Sequence, residues 1–370
     1  MKKIKQRHVR YCIQVKERGS DDMSLDKFYG CLIGGAAGDA LGYEIEFLGE
    51  DTIFRNFGKE GIQDYVLHIG EARISDDTQM TLFTAAGLLS DFQAKSAGGN
   101  LSVRPESAIW DAYLEWYELQ CGNTIKNAKS GWLCRVPEMA ASRAPGITCL
   151  HTLGNKQAGC TGESINHSKG CGGVMRVAPI GLFYNRHPEL KDEIVFVDRL
   201  AAEAAALTHG HPLGYLTAAV LAHIVNRIVY GGCTFGDGLK DIVLESIEYL
   251  KGYYSEQEHT RELCDLIQKA IDLSQNEEDD LDNIHILGEG WVAEETLAIA
   301  VYCALKYQND FSKALCVSVN HRGDSDSTGA VTGNILGAWV GYERIPEKWK
   351  QNLECYDTIK KMAEELYQTE

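Results

Sequence analysis

The chain has 370 residues, of which 44% are apolar and 24% are charged, and its formal net charge is −17. This composition is that of a globular protein and excludes wholesale disorder. The acidic balance argues against a general nucleic-acid binder, because such proteins present a basic surface to the phosphate backbone. It is compatible with carboxylates that hold divalent cations, and with a small anionic ligand in a local pocket.

The twelve cysteines show no C-x-x-C spacing, which excludes the usual zinc-ribbon and thioredoxin patterns. Neither a secretory signal nor a run of about 18 apolar residues is recognisable, so no membrane span is expected. We therefore expect a soluble cytoplasmic protein with free thiols.

Residues 1–24 form a polar extension, basic from Lys2 to Lys16, that is either a frayed terminus or an arm that pairs with a partner. Residues 25–370 carry helical periodicity, and we assign them to one domain. Because no sustained strand alternation or repeated βα spacing occurs, the sequence predicts an all-α protein. The acidic stretch 276–282 is expected to be a loop. In chain order, the predicted helices are 25–41, 78–91, 105–119, 136–143, 173–184, 196–208, 213–230, 237–252, 260–274, 291–307, 311–318, 327–341 and 355–368.

Two sets of glycines recur at four-residue spacing, so each set occupies one face of a predicted helix. A glycine inside a helix costs about 1 kcal/mol relative to alanine, and a whole face of them needs a compensating contact. We predict that a neighbouring helix backbone packs against each face. The first set is Gly30, Gly34, Gly38 and Gly42, and the second is Gly329, Gly333 and Gly337.

Two short acidic segments, Ser75–Gln79 and Asp324–Thr328, each precede an apolar helical run. Either segment alone is explained by helix capping, in which a hydroxyl or carboxylate accepts hydrogen bonds from the first free N–H groups. One cap needs only one side chain, however, and each segment carries two carboxylates. Four carboxylates brought together would repel one another, and bound cations relieve that repulsion. If the two segments converge, the sequence predicts a site for two Mg²⁺ or Mn²⁺ ions.

Four further features are candidates for the same site. Asp39 lies at the small-residue end of the first glycine helix, where it either pins a neighbouring loop or belongs to a site. Glu46 follows that helix on a loop from which it can reach a pocket. The glycine-rich segment Gly170–Arg176 precedes a helix and can present N–H groups to an anion such as a diphosphate, although its spacing fits neither a P-loop nor a Rossmann motif. His209 is either a satisfied loop histidine or a pocket-lining one.

The order of these segments resembles that of the ADP-ribosylglycohydrolases. The resemblance implies a compact all-α domain of many helices crossing at steep angles, with a cleft for two Mg²⁺ or Mn²⁺ ions. It also implies hydrolysis of the glycosidic bond between ADP-ribose and a protein side chain, most often arginine and otherwise serine. The matching segments are Gly38–Gly42 with Glu46, Ser75–Gln79, Gly170–Gly181, Thr208–His209 and Gly323–Ser327.

The resemblance also assigns roles to individual residues. The implied metal ligands are Ser75, Asp76, Asp77, Asp324, Asp326 and Ser327. The implied substrate-binding residues are Asp39, Gly170, Gly172, Gly173, Met175, Arg176 and His209. The residues expected to act as catalytic base are Glu46, Asp77 and Asp324, and the sequence does not rank them.

Two departures from the family pattern leave other functions open. Ser75 and Ser327 stand where the family usually has threonine, and the loosely matching segment Gln120–Thr124 contains no acid. The first alternative is an immunity protein that neutralises an ADP-ribosyltransferase toxin, by hydrolysis or through an arm formed by residues 1–24. The others are a catalytically silent structural relative and a two-metal hydrolase of unrelated fold. In the main interpretation the partner is an ADP-ribosylated protein, and no nucleic acid or membrane is expected to bind.

Overall fold

The computed structural model describes residues 20–96, 104–183, 193–231 and 238–369. Over these ranges the chain forms fifteen α-helices with short 3₁₀ turns and isolated β-bridges, and no sheet. The helices are α1 (Ser20–Gly42), α2 (Glu50–Phe57), α3 (Asp76–Ser96), α4 (Pro105–Gln120), α5 (Ile147–Gly154), α6 (Ala178–Phe183), α7 (Glu193–Ala206), α8 (Pro212–Tyr230), α9 (Leu239–Tyr253), α10 (Thr260–Leu273), α11 (Asp280–Leu287), α12 (Ala293–Lys306), α13 (Phe311–Val319), α14 (Ser325–Val340) and α15 (Tyr356–Tyr367).

The all-α prediction is confirmed, with differences in individual elements. The helix predicted at 136–143 is wrong, because only a 3₁₀ turn at Pro137–Ala140 forms there. The helix predicted at 173–184 begins only at Ala178. Helices α2, α5 and α11 were not predicted, and each has only eight residues.

The acidic stretch expected to be a loop instead starts helix α11. The Asp279 carboxylate accepts hydrogen bonds from the backbone N–H groups of Leu281 and Asp282, at 2.9 and 3.4 Å. The loop prediction is therefore wrong from Asp280 onward. Acidic residues suit the positive end of a helix, so this composition favours a helix start as well as a loop.

Residues 1–19 lie outside the described residues, and Ser20 begins helix α1. The division into an extension at 1–24 and a domain at 25–370 therefore stays a prediction. The ten cysteines within the described ranges are unpaired.

Helices α1 and α14 run antiparallel in close contact along their length, and α3, α8, α12, α13 and α15 pack around them. The predicted close contact through glycine faces is confirmed. A Cβ atom on any of these glycines would overlap the carbonyl group of the residue that it faces, so only glycine allows the two backbones to approach this closely. The facing pairs are Gly30 with Gly337, Gly34 with Gly333, and Gly38 with Gly329.

Helix α8 is long and apolar enough to cross a membrane by length and composition alone. Its most apolar window is, however, 89% buried inside the protein. This burial is what is expected of a core helix that is hydrophobic on all sides.

Candidate active site

The two acidic segments meet where α3 and α14 begin. The last glycine of the first set, Gly42, lies against Ser325, so the end of α1 adjoins the start of α14. The first turns of α3 and α14 then line one cavity of about 550 Å³. The predicted convergence of the two segments is therefore observed. The acidic and hydroxyl side chains that line the cavity are Glu46, Asp76, Asp77, Thr148, Asp324, Asp326 and Ser327.

The carboxylates of this cavity, which we call the acidic cluster (Glu46, Asp76, Asp77, Asp324 and Asp326), are each more than nine-tenths buried. Burial and the neighbouring charges of Asp324 and Asp76 raise the pKa of Glu46 to about 9, and burial raises the pKa of Asp76 to about 8. For the same reasons the pKa values of Asp77 and Asp326 lie well above the ordinary range. Without cations, the cluster therefore retains protons at neutral pH.

The donor set of the acidic cluster fits divalent cations. Carboxyl oxygens of Glu46, Asp324 and Asp326 lie within 4.8 Å of one another. Glu46 Oε2 and Asp77 Oδ2 are buried and have no hydrogen-bond partner. A buried carboxylate oxygen without a partner is costly, and a hard cation compensates that cost.

Asp39 holds the start of α3 from behind the cavity wall. Its two carboxylate oxygens accept hydrogen bonds from the Ser75 N–H, at 2.9 and 3.1 Å, and one accepts from the Thr78 N–H at 3.1 Å and from the Thr78 hydroxyl. Ser75 Oγ in turn accepts from the Asp77 N–H at 3.1 Å. Neither Asp39 nor Ser75 is among the described residues that line the cavity. Of the two roles open to Asp39 from the sequence, the hydrogen bonds in the structure correspond to fixing a neighbouring loop.

The glycine-rich segment forms another part of the cavity wall. Gly170, Gly172 and Met175 line it, as does His209. A Cβ atom on Gly172 would lie 3.0 Å from His209 Cε1, so glycine lets the segment approach the imidazole ring. Gly173 packs instead toward the Ala205 side chain.

Arg176 is fully buried beside His209 and is not among the described residues that line the cavity. Its guanidinium donates hydrogen bonds to Thr208 Oγ1 at 2.7 Å and to the carbonyl of Ala204 at 3.2 Å, and lies 4.2 Å from the Tyr113 ring centroid. Burial and this positive charge lower the pKa of His209 to about 3. The histidine that faces the cavity is therefore neutral at physiological pH.

Several aromatic, aliphatic and thiol side chains of the cavity were not among the predicted site residues. Phe47 and Trp291 stack at the rim, with ring centroids 6.1 Å apart and an interplanar angle of 24°. Ile147 is 85% exposed on the same rim, and the thiols of Cys149 and Cys171 line the wall. Phe47 and Cys171 could have been found from the sequence, because Phe47 follows Glu46 and Cys171 lies inside the glycine-rich segment. Nothing in the sequence around Trp291 or Ile147 indicates that they belong to the site.

A protein-family model described as ADP-ribosylglycohydrolase matches residues 20–370. The chain belongs to the ADP-ribosylglycohydrolase family. The resemblance seen in the sequence is thereby confirmed, and the match covers every element described above.

The chain shares about a quarter of its residues with the relatives compared below. The chain is 26% identical to ADP-ribosylhydrolase ARH3 of Bos taurus over 372 residues, covering 93% of each chain. It is 26% identical to ADP-ribosylarginine hydrolase Tri1 of Serratia proteamaculans (strain 568) over 357 residues, covering 93% of this chain and 80% of the relative. A solved structure described as an ADP-ribosylglycohydrolase-related protein complex superposes with a TM-score of 0.63 at 24% identity, covering 94% of this chain and 99% of the other. This last likeness supports the fold.

The segment that departs from the ADP-ribosylglycohydrolase pattern borders a second cavity of about 480 Å³. Gln120 lies there, and its amide donates a hydrogen bond to the carbonyl of Met139 at 3.0 Å. Pro145 and Ile147 line both cavities and separate Gln120 from the acidic cluster. The carboxylates available to a reaction in the main cavity are therefore those of the cluster itself.

Proposed function

We propose that this protein hydrolyses, with divalent cations, the glycosidic bond that links ADP-ribose to a protein arginine, and so reverses mono-ADP-ribosylation. The observation that carries the proposal is the acidic cluster in a cavity of about 550 Å³, a volume typical of ligand-binding sites. Arginine is preferred over serine because the relative Tri1 is named an ADP-ribosylarginine hydrolase.

The residues that would hold the cations are those implied by the family pattern. When bound, two divalent cations supply positive charge that orients the ribose hydroxyls and the hydrolytic water. Protons leave the carboxylates as cations bind, which converts the buried acids to their charged form. The proposed ligands that line the cavity are Asp76, Asp77, Asp324, Asp326 and Ser327. Ser75, the sixth ligand that the family pattern implies, does not line it, and its Oγ accepts the Asp77 N–H.

Within the acidic cluster, Glu46 is the first candidate for the general base. Glu46 lines the cavity, its Oε2 atom has no hydrogen-bond partner, and the ionised carboxylate can accept a proton from water. Asp77 also has an unpartnered oxygen, whereas Asp324 accepts the Ser327 N–H at 3.2 Å as the cap of α14. The water oxygen forms a bond to the ribose anomeric carbon as Glu46 takes a proton from the water. The bond to the arginine nitrogen breaks with its electron pair on that nitrogen, which takes up a proton from solvent, and Glu46 returns its own proton to solvent.

The opposite wall suits the diphosphate and distal ribose. Arg176 is a buried cation whose hydrogen-bond partners are neutral, so its positive potential extends toward the adjoining Gly170–Gly172 wall. A neutral His209 can hydrogen-bond a hydroxyl without adding charge. We infer that this wall binds the anionic part of ADP-ribose, as the glycine-rich segment led us to expect.

The decisive measurement is release of ADP-ribose from an arginine-ADP-ribosylated protein with Mg²⁺ or Mn²⁺, and again with EDTA. Cation-dependent release is expected, and a serine-linked substrate assayed in parallel tests the acceptor. Asp77→Asn should abolish release, while Asp91→Asn on the same helix should not. Release that persists in EDTA, or full activity of Asp77→Asn, would contradict the proposal.

A second candidate function is neutralisation of an ADP-ribosyltransferase toxin by an N-terminal arm. It is favoured by the position of the family match, which starts at residue 20 and so excludes the basic segment Lys2–Lys16. A chain lacking residues 1–19 should hydrolyse ADP-ribosylated protein normally but bind such a toxin more weakly. Equal toxin binding by the full-length and truncated chains would remove this candidate.

A further inference from the structure

A thiol faces the acidic cluster. Cys171 Sγ lies 2.7 Å from Asp324 Oδ2, and both residues line the same cavity. Cys171 is unpaired and partly accessible to solvent. Carboxylates alone make a site for hard cations, whereas a sulfur among them adds a soft donor.

Other observations also point to a ligand at this site. Glu46 and Asp77 line the same cavity and are more than nine-tenths buried, and one oxygen of each, Glu46 Oε2 and Asp77 Oδ2, has no hydrogen-bond partner. Oxygens of Glu46, Asp324 and Asp326 lie within 4.8 Å of one another. The sulfur therefore adjoins a group of oxygens that independently fits a cation.

We propose that Cys171 is an additional ligand that lets this site bind thiophilic divalent cations, such as Zn²⁺ and Co²⁺, in competition with Mg²⁺ or Mn²⁺. Zinc bonds are about 2.3 Å to sulfur and about 2.0–2.2 Å to a carboxylate oxygen, so a tetrahedral ion bound to both Cys171 Sγ and Asp324 Oδ2 would replace their hydrogen bond and move the two atoms apart by roughly 1 Å. The metal–sulfur bond forms as the thiol proton passes to solvent. This proposal rests on the metal centre of the proposed function and adds a determinant of cation preference.

Hard and soft cations should respond differently to loss of the sulfur. Mg²⁺ takes oxygen ligands and several waters, so its affinity depends on the carboxylates and not on Cys171. Zn²⁺ and Co²⁺ gain a bond to sulfur and lose it in Cys171→Ser. An excess of Zn²⁺ should accordingly displace Mg²⁺ from the wild-type chain more readily than from Cys171→Ser.

The test is a titration of the reduced full-length chain with Co²⁺, monitored by near-ultraviolet absorption and by calorimetry. A sulfur-to-cobalt charge-transfer band should appear with the wild type, disappear in Cys171→Ser, and persist in Cys121→Ser, whose thiol is exposed and does not line this cavity. The Zn²⁺ affinity of Cys171→Ser should fall by about tenfold or more, since even losing an outer-shell partner costs about 10–100-fold. Its Mg²⁺ affinity should stay within about twofold of wild type.

Two results would overturn the proposal. One is Co²⁺ binding by calorimetry without the band, and the other is a band that survives in Cys171→Ser. Absence of any Co²⁺ binding would overturn both this proposal and the proposed metal centre. Failure of ADP-ribose release in Mg²⁺ is a separate readout, and it would count against the proposed function alone while the cobalt band is present.

Discussion

At the scale of single residues, buried charges act on the candidate site from behind it. Asp39 accepts its hydrogen bonds from Ser75 and Thr78, so a carboxylate that lies outside the cavity determines where α3 begins. Arg176 holds Thr208 and lowers the pKa of His209 in the same indirect way. Such groups are positioning residues, and they should affect cation binding and stability before they affect chemistry.

Asp39→Asn tests the positioning role. An asparagine side chain has one carbonyl oxygen, so its NH₂ group would face an N–H donor of Ser75 or Thr78 and leave it unpaired. We expect the free energy of unfolding to fall by about 1–3 kcal/mol, the cost of an unsatisfied buried group. Calorimetry should also show weaker Mg²⁺ binding. Asp241→Asn, at an exposed position, is the control, and wild-type values for Asp39→Asn in both assays would contradict the role.

Asp324→Ala tests the ligand role directly. The change removes an oxygen donor from the acidic cluster and also the cap that accepts the Ser327 N–H. We expect turnover to be lost and cation affinity to fall. Asp324→Asn keeps a capping oxygen but not the charge, so it should restore stability without restoring turnover. Turnover by Asp324→Asn equal to that of wild type would show that the charge is not needed.

At the scale of elements, the glycine contact between α1 and α14 sets the geometry of the site. Gly38 lies against Gly329 and Gly42 lies against Ser325, so Asp39 is held beside the first turn of α14. Side chains on either glycine face would separate the two helices. The acidic segments of α3 and α14 would then separate as well, since α3 is tied to α1 through Asp39.

Gly38→Ala should destabilise the protein and weaken cation binding together. The added Cβ would overlap the backbone carbonyl of Gly329, and such overpacking costs typically about 1–3 kcal/mol or more. Gly252→Ala in α9 is the matched control, because no atom lies within 4 Å of the added Cβ. That change should stabilise the helix by about 0.5–1 kcal/mol. Denaturant unfolding and Mg²⁺ calorimetry of the two variants measure both effects, and equal stability would count against the tight contact.

At the scale of the whole molecule, the acidic cluster links cation binding, protonation and folding. The pKa of Glu46 is about 9 and that of Asp76 about 8 in the folded cation-free protein, both above their values in an unfolded chain. The folded state therefore binds more protons than the unfolded state between about pH 5 and pH 9. Its stability is full below the unfolded pKa values and falls as the pH rises through the folded ones.

The free energy of unfolding, measured by chemical denaturation in EDTA, should accordingly be lower at about pH 9 than at about pH 5. Saturating Mg²⁺ should reduce this fall, because cations replace the protons. Glu46→Gln removes one of the titrating groups and should flatten the dependence in EDTA. A slope in EDTA that is the same for wild type and Glu46→Gln would contradict the coupling.

Much of the fold could be predicted because its long helices repeat apolar residues at 3.6-residue spacing, and because glycine faces imply a close neighbour. The eight-residue helices α2, α5 and α11 have too few turns for that signal. In the candidate site, the carboxylates were visible as paired acids at helix starts. The exposure of Trp291 and Ile147 depends on the tertiary arrangement, and no local pattern encodes it.

The contact between α1 and α14 also has a consequence for the order of synthesis. Its partners, such as Gly30 and Gly337, come from nearly opposite ends of the sequence, and contacts of high sequence separation form late and slowly. A nascent chain that has not yet reached Asp324 has neither the second acidic segment nor the helix that covers the glycines of α1. Until then the nascent chain exposes the glycine face of α1, and such an uncovered helix is a target for chaperones. The chain also offers cations only half of the proposed ligands.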